Sequence, residues 1–379
     1  MKSYRFIAIS IGLFLCFAVL LHAQNAIIVV MDGARYTETF GAGNTYIPHL
    51  YDDMKPLGTL FTNYNIDYPS GLTETCPGHA AIEAGTWQPI ANNGSERPTK
   101  PTVFEYMRKE DGNPQSDCYV VTGKDKLDIL TYSTYTGYGS TYGGTWVGDD
   151  NRDDALTYSK VIDVMQNYNP KILVVNFAEV DDVAHNSSFA NYCSAITNAD
   201  NYIYQLWQHI QAGDYGYTTE NTTLFVTNDH GRHTSNFASH GDGCEGCTHI
   251  MLLALGRGVP VNQTIDLPTW QIDIAPTVGQ FLDFQTPFST GTSLLETPTQ
   301  IADEKNLPLL SEYKLEQNFP NPFNPSTTIR FSTPQSGNVK LTVYNLLGKM
   351  VSELINGHKE PGVYTINFNA SEFSSGLYL

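Results

Sequence analysis

A chain of 379 residues has room for one large domain, or for a large one and a small one. Hydrophobic content of 41% supports a real core, while sparse charge (16%) and plentiful Tyr, Gly, Asn and Thr suit an extracellular, loop-rich protein better than a cytosolic one. A formal net charge of −18 excludes nucleic-acid binding through a basic patch and is compatible with carboxylates that ligate cations.

The first residues read as a secretory signal. Lys2 and Arg5 precede an apolar run from Phe6 to Leu21, and cleavage is expected near Ala23. The competing reading is a membrane anchor, but the run is shorter than the ~20 residues a span needs. Loss of residues 1–23 moves the net charge from −18 to −20. Short apolar runs at 26–31, 118–122, 172–177, 223–227 and 250–255 then read as strands of a parallel sheet covered on both faces. Helix-like stretches at 78–84, 102–109, 154–167 and 198–212 alternate with them. The expectation is an α/β, doubly wound, mostly parallel sheet over residues 24–296. A polar, Pro-containing linker follows at 297–313. A small all-β sandwich is expected at 314–379, with period-two strands at 327–332, 340–344 and 364–367.

Carboxylates and histidines collect where strands end, which is where open α/β sheets form sites. Asp32 follows the first strand. Asp181 and His185, spaced i, i+4, share a face if they lie on a helical turn. Asp229 and His230 follow the strand at 223–227, and His240 lies ten residues on. One Asp at a strand end is often a helix cap. Three such ends with three histidines ask for another explanation. Mixed Asp and His donors suit zinc, and two zinc ions ~4 Å apart can clamp both oxygens of an in-line displacement. Thr75 stands just before a helix start, where free N–H groups and partial positive charge meet a hydroxyl, so it is either a nucleophile or a helix cap. Cys76, Cys118, Cys193, Cys244 and Cys247 remain after signal removal. That number is odd, so at least one is free or pairs between chains. The lone Cys244-x-x-Cys247 has no second pair nearby to complete a structural zinc site, and in an exported chain a local disulfide is expected.

These residues resemble the alkaline phosphatase superfamily, in particular its nucleotide pyrophosphatase/phosphodiesterase and Thr-nucleophile phosphatase branch. The likeness rests on Val30-Met31-Asp32-Gly33, Thr75-Cys76-Pro77-Gly78-His79-Ala80, Glu179-Val180-Asp181-Asp182-Val183-Ala184-His185, Asn228-Asp229-His230-Gly231 and His240-Gly241, in the family's order. Ile47-Pro48-His49-Leu50 and Asp273-Ile274-Ala275-Pro276-Thr277 support it. The resemblance implies one divalent metal held by Asp32, Thr75, Asp229 and His230, and another held by Asp181, His185 and His240, with His233 the substitute for His240. It implies attack by Thr75 on a small phosphate ester, through a phosphothreonine. Gly123-Lys124-Asp125-Lys126 resembles the Lys-Asp-Arg of Thr-nucleophile phosphomonoesterases, so Lys124 and Lys126 are expected to grip phosphate oxygens, with Asn92 as a further donor. A phosphodiesterase on the same site, or an inactive surface-binding protein, are the alternatives. Sulfatases carry Cys-x-Pro-x-Arg, and the stretch from Cys76 to His79 has neither that spacing nor the Arg. The Tyr-rich stretch 131–149 is either an aromatic platform over the site or a surface loop.

Leu315-Glu316-Gln317-Asn318-Phe319-Pro320-Asn321-Pro322-Phe323-Asn324-Pro325-Ser326 resembles the start of a type IX secretion sorting domain. Val343-Tyr344-Asn345-Leu346-Leu347-Gly348-Lys349 and Ser375-Gly376-Leu377-Tyr378-Leu379 match its later parts. The likeness implies export machinery as a partner and a secreted or cell-surface location. The family usually continues beyond this point, so a truncated sequence is expected.

Overall fold

Strand β1 (Asn25–Met31) is buried along its whole length, and its side chains divide between two cores. Ile27, Val29 and Met31 enter one, while Ala26, Ile28 and Val30 enter the other. Alternation across a strand covered on both faces explains why every position is apolar. The computed structural model describes residues 24–294, 313–315, 318, 323, 325–359, 362–371, 373 and 376–378. The expected signal, the linker residues 297–312 and much of the motif at 315–326 lie outside them.

In chain order, β2 is Gly58–Asn65, α1 Thr75–Ala84, α2 Val103–Asp111, β3 Cys118–Thr122, β4 Thr145–Gly148, α3 Asp154–Tyr168, β5 Ile172–Phe177, α4 Glu179–Asn186, α5 Phe189–Ala212, β6 Thr222–Thr227, α6 Glu245–Thr248, β7 His249–Gly256, β8 Gln263–Ile265, β9 Thr269–Trp270 and α7 Ile274–Leu282. The sheet runs β4-β3-β5-β1-β6-β7-β2-β8, with β9 beside β2. Residues of α3 and α5 fill the core on one face, and residues of α1, α2 and α7 fill the other. This is the mostly parallel, doubly wound α/β architecture that the strand–helix alternation predicts.

One strand departs from that expectation. β7 pairs antiparallel with both β6 and β2. The connection from β6, residues 228–248, is mostly loop and holds only the four-residue α6, with no long helix packed on the sheet to carry the chain back to its other end. The chain therefore leaves and re-enters the sheet at the same end, and residues 228–248 all stay beside the site. Helix α5 also starts nine residues before its expected position, at Phe189, capped by Ser188, whose hydroxyl accepts from Asn191 N.

The described residues up to 294 form one compact unit and those from 313 on form another. In the second, β10 (Lys314–Leu315), β11 (Ser326–Thr333) and β14 (Gly362–Asn369) form one antiparallel sheet. A hairpin of β12 (Gly337–Tyr344) and β13 (Met350–Lys359) forms another. Phe331, Val343 and Phe368 are buried in this all-β unit. No helix among the described residues is long and apolar enough to cross a membrane.

Candidate metal centre

Neighbouring strands β3, β5, β1 and β6 are parallel, so their carboxyl ends lie side by side at ~4.8 Å intervals. The residues just past those ends are Lys124, Asp181, Asp32 and Asp229. The first half of the cluster is fully buried. Asp32 Oδ1 and Asp229 Oδ2 lie 3.7 and 3.6 Å from His230 Nε2, with all three side chains at 0% exposure. Among the described residues neither oxygen has a hydrogen-bond partner. The imidazole of His79 is 3.3 Å from Asp229 Oδ2, but its Nδ1–H is directed to the Thr75 carbonyl at 2.9 Å. His230 Nδ1 donates to the Gly231 carbonyl at 2.9 Å, which leaves the Nε2 lone pair facing the two carboxylates. Unpaired buried carboxylate oxygens are costly, and a cation between them removes that cost.

Thr75 is the first residue of α1 and is 1% exposed. The helix thus begins three residues earlier than the sequence pattern indicates. Its hydroxyl lies 3.5 Å from both His230 Nε2 and Lys124 Nζ. Gly78 makes this approach possible. A Cβ there would stand 2.3 Å from the Asp229 carbonyl oxygen, so the helix backbone packs directly on the strand end that carries Asp229.

The second half opens to solvent. Asp181 and His185 lie on α4, with Asp181 Oδ1 3.3 Å from His185 Nε2 and 3.7 Å from His240 Nε2. The two imidazole Nε2 atoms are 3.1 Å apart. His185 has 40% side-chain exposure. His240 Nδ1 donates to the Thr73 carbonyl at 3.0 Å, again freeing Nε2. Burial, reinforced by His230, pushes the His240 pKa down to about 3, so the ring is neutral as a ligand must be. The donor atoms of Asp32, Asp229 and His230 converge within 4.8 Å, as do those of Asp181, His230 and His240. Orphaned oxygens, neutral imidazoles and mixed O/N donors fit divalent cations.

Lys124, also 1% exposed, joins the halves at 2.8 Å from Asp32 and 2.7 Å from Asp181. Burial alone would lower its pKa, but Asp32, Asp181 and Asp229 raise it above the ordinary lysine value. Asp181 is held well below the carboxylate range: burial opposes ionisation, and Lys124 and His185 outweigh it. Lys126 Nζ donates to the Asn92 carbonyl and side-chain oxygens, both at 3.1 Å. Asn92 Oδ1 in turn accepts from Cys76 N at 2.9 Å, at the start of α1. Lys124, Lys126, Asn92 and Thr75 therefore form one connected group.

Three contributors were missed in the sequence. Arg232 is fully buried, donates to the Gly33 carbonyl at 3.1 Å and pairs with Asp181. An arginine two residues beyond a ligand pair was the available signal. Asp154 accepts from Ala178 N and Glu179 N at 2.7 and 3.1 Å, fixing the start of α4. Asn176 donates to Asp32 Oδ2 at 2.8 Å. His233 lies with Asp242, Cys244 and Cys247 and takes no part in the two convergent groups. In the stretch 131–149, Tyr135 and Tyr138 pack on Tyr106 and Phe288, and Lys109 covers Tyr138. These aromatics line the α2 face. The cysteines among the described residues are free, so the structure does not show the expected Cys244–Cys247 disulfide.

Two family models match the chain. Residues 128–249 match the metalloenzyme superfamily, a span that contains Asp181, His185, Asp229, His230 and His240. Residues 317–379 match the secretion system C-terminal sorting domain. The chain thus joins a domain that matches the metalloenzyme superfamily to a C-terminal domain that matches a secretion sorting domain. Among solved structures, a phosphonate monoester hydrolase from Silicibacter pomeroyi is similar, with 13% identity and a TM-score of 0.56 over 91% of this chain and 89% of that one. Alkaline phosphatase PafA is similar at 14% and 0.56, over 73% of this chain and 99% of that one. A 2-O GAG sulfatase is similar at 14% and 0.54, over 92% and 86%. These likenesses show a shared fold across different substrates. No curated protein sequence matches this chain significantly.

Proposed function

We propose that the chain is an exported hydrolase of small phosphate monoesters, using Thr75 as nucleophile and two zinc ions as cofactors. The carrying observation is that His230 Nε2 lies 3.5 Å from the Thr75 hydroxyl and within 3.7 Å of two carboxylate oxygens, of Asp32 and Asp229, that have no hydrogen-bond partner among the described residues, while Lys124 Nζ also lies 3.5 Å from Thr75. In this reading Asp32, Thr75, Asp229 and His230 hold one ion, and Asp181, His185 and His240 the other. When bound, the ions lower the pKa of the Thr75 hydroxyl and neutralise charge on the phosphoryl group.

The chain's own residues do the rest. The Thr75 oxygen forms a bond to phosphorus as the ester P–O bond breaks, and the alcohol leaves with a proton. Water then cleaves the phosphothreonine, releasing phosphate and restoring the hydroxyl. Arg232, Asn176 and His79 hold the carboxylates and Thr75 in register. Lys126 favours a monoester, because Lys124 is already paired with Asp32 and Asp181 while Lys126 donates to the neutral oxygens of Asn92. Its charge suits the extra negative oxygen of a monoester dianion. The signal peptide at 1–23 and the sorting domain supply a route out of the cell.

Thr75→Ala should lose more than ~10³-fold in kcat while retaining its zinc. The check is steady-state hydrolysis of p-nitrophenyl phosphate, its bis-ester and its sulfate, with acid-quench trapping of a phosphorylated protein. Full zinc-dependent turnover by Thr75→Ala would overturn the nucleophile. A bis-ester or sulfate rate above the monoester rate would overturn the substrate class.

A further inference from the structure

The loop 231–247 carries a second donor cluster. Cys244 Sγ and Cys247 Sγ each lie 3.7 Å from His233 Nδ1, and Asp242 Oδ2 lies 3.0 Å from the same nitrogen. All four donor atoms fall within 4.8 Å of one another. Bonds of ~2.3 Å to sulfur and ~2.0–2.1 Å to nitrogen and oxygen give tetrahedral edges of ~3.6 Å for S···N and ~3.3 Å for N···O. The observed separations match those edges to within a few tenths of an ångström. A disulfide would need neither an imidazole equidistant from both sulfurs nor a carboxylate on the same nitrogen.

We propose that His233, Asp242, Cys244 and Cys247 form a structural zinc site, separate from the two ions of the catalytic centre. Two thiolates, one imidazole and one carboxylate make a closed four-ligand set, which leaves no position for substrate. The loop is folded around the cluster. Gly231 N and Arg232 N donate to the carbonyls of Cys247 and Gly246 at 2.9 and 2.8 Å. A Cβ on Gly246 would stand 2.4 Å from the Arg232 carbonyl oxygen, so the middle of the Cys-x-x-Cys packs on the backbone of Arg232.

The site ties the two ends of the loop that presents His230, Arg232 and His240. Asp242 extends the tie, because its carbonyl accepts from Thr73 Oγ1 at 2.9 Å and the Thr73 carbonyl accepts from His240. These four residues are accordingly positioning residues for the catalytic loop.

The test uses the full chain reconstituted with cobalt(II) alone, and separately with zinc alone. Wild type should show a near-ultraviolet thiolate-to-cobalt charge-transfer band. Asp181→Ala should retain it, since that variant damages only the catalytic centre. Cys244→Ser/Cys247→Ser should lose the band and bind one zinc fewer per chain. His233→Ala should weaken zinc at this site by more than the ~10–100-fold typical of losing an outer hydrogen-bond partner. Absence of the band in folded wild type would overturn the site. So would thiol titration of the denatured, chelated, unreduced chain that finds two cysteines fewer than the reduced chain, since those two would be a disulfide. If the double variant does not fold, the wild-type and Asp181→Ala spectra still decide.

Discussion

The two halves of the carboxylate–histidine cluster share donor types but not surroundings. Asp32, Asp229 and His230 are sealed, and their remaining atoms are held by Asn176, by Gly33 N and His230 N at 3.0 Å, and by the Gly231 carbonyl. Asp181 is nearly as buried, but its partner His185 faces solvent. A sealed half is pre-organised and unforgiving, because loss of one group strands several others. An open half admits water and can be refilled from solution. Under the two-metal reading, the sealed half holds the nucleophile and the open half is where the second, hydrolytic step meets water.

Ligand removal breaks this comparison most directly. Asp229→Ala should cost at least ~10³-fold in kcat, the upper range for losing one preorganised electrostatic group. Added zinc should not restore it, because Gly33 N, His230 N and His79 lose a shared partner. His185→Ala should lower metal affinity by ~10–100-fold or more and recover much of its rate as zinc is raised. Titrating both variants with zinc while following turnover checks the pair. Equal rescue of both would mean that burial does not separate the halves.

A backbone substitution sharpens the same contrast without touching a ligand. Gly78→Ala places a methyl group against the Asp229 carbonyl, and either α1 or the strand end must move. A misplacement of ~1 Å at a reacting group can cost ~10²-fold. The expected result is a drop of that order in kcat, with KM and zinc content little changed. Unaltered kcat would show that α1 tolerates retreat from Asp229.

Much of this arrangement was legible in the sequence because each strand end carries its own local signal. Asp32, Asp229 and His230 follow apolar runs directly, and the Asp181–His185 spacing matches one helical turn. What was not legible depends on approach between distant segments. Arg232 reads as a surface charge until its contacts with Gly33 and Asp181 are seen. Asp154 reads as part of the first turn of α3, although its carboxylate holds α4. The direction of β7 was hidden because a buried strand is equally apolar in either orientation. β13 was hidden because its residues alternate poorly, and its pairing with β12 is broken by register shifts. The groups beside the Cys-x-x-Cys, His233 and Asp242, were not legible because they lie on the same loop without a recognisable spacing.

The smallest effect belongs to Lys126, which lies outside both halves. Among the described residues it bonds Asn92, through which it reaches the first turn of α1, where Thr75 lies. Lys126→Ala should therefore leave zinc content intact and act on substrate charge alone. A monoester dianion presents one more negative oxygen than a diester, and one charge-assisted hydrogen bond at a partly exposed site is worth ~1.5–3 kcal/mol. The expected loss in kcat/KM is roughly 10–100-fold on p-nitrophenyl phosphate, because each 1.4 kcal/mol is tenfold. The bis-ester should change far less. An equal fall on both substrates would mean that Lys126 holds Asn92 and the helix start in place, with no part in reading charge. Lys126→Arg separates the two roles, since a guanidinium keeps the charge and adds a bidentate fork for the phosphate. It should match or exceed wild type on the monoester if charge recognition is what this position supplies.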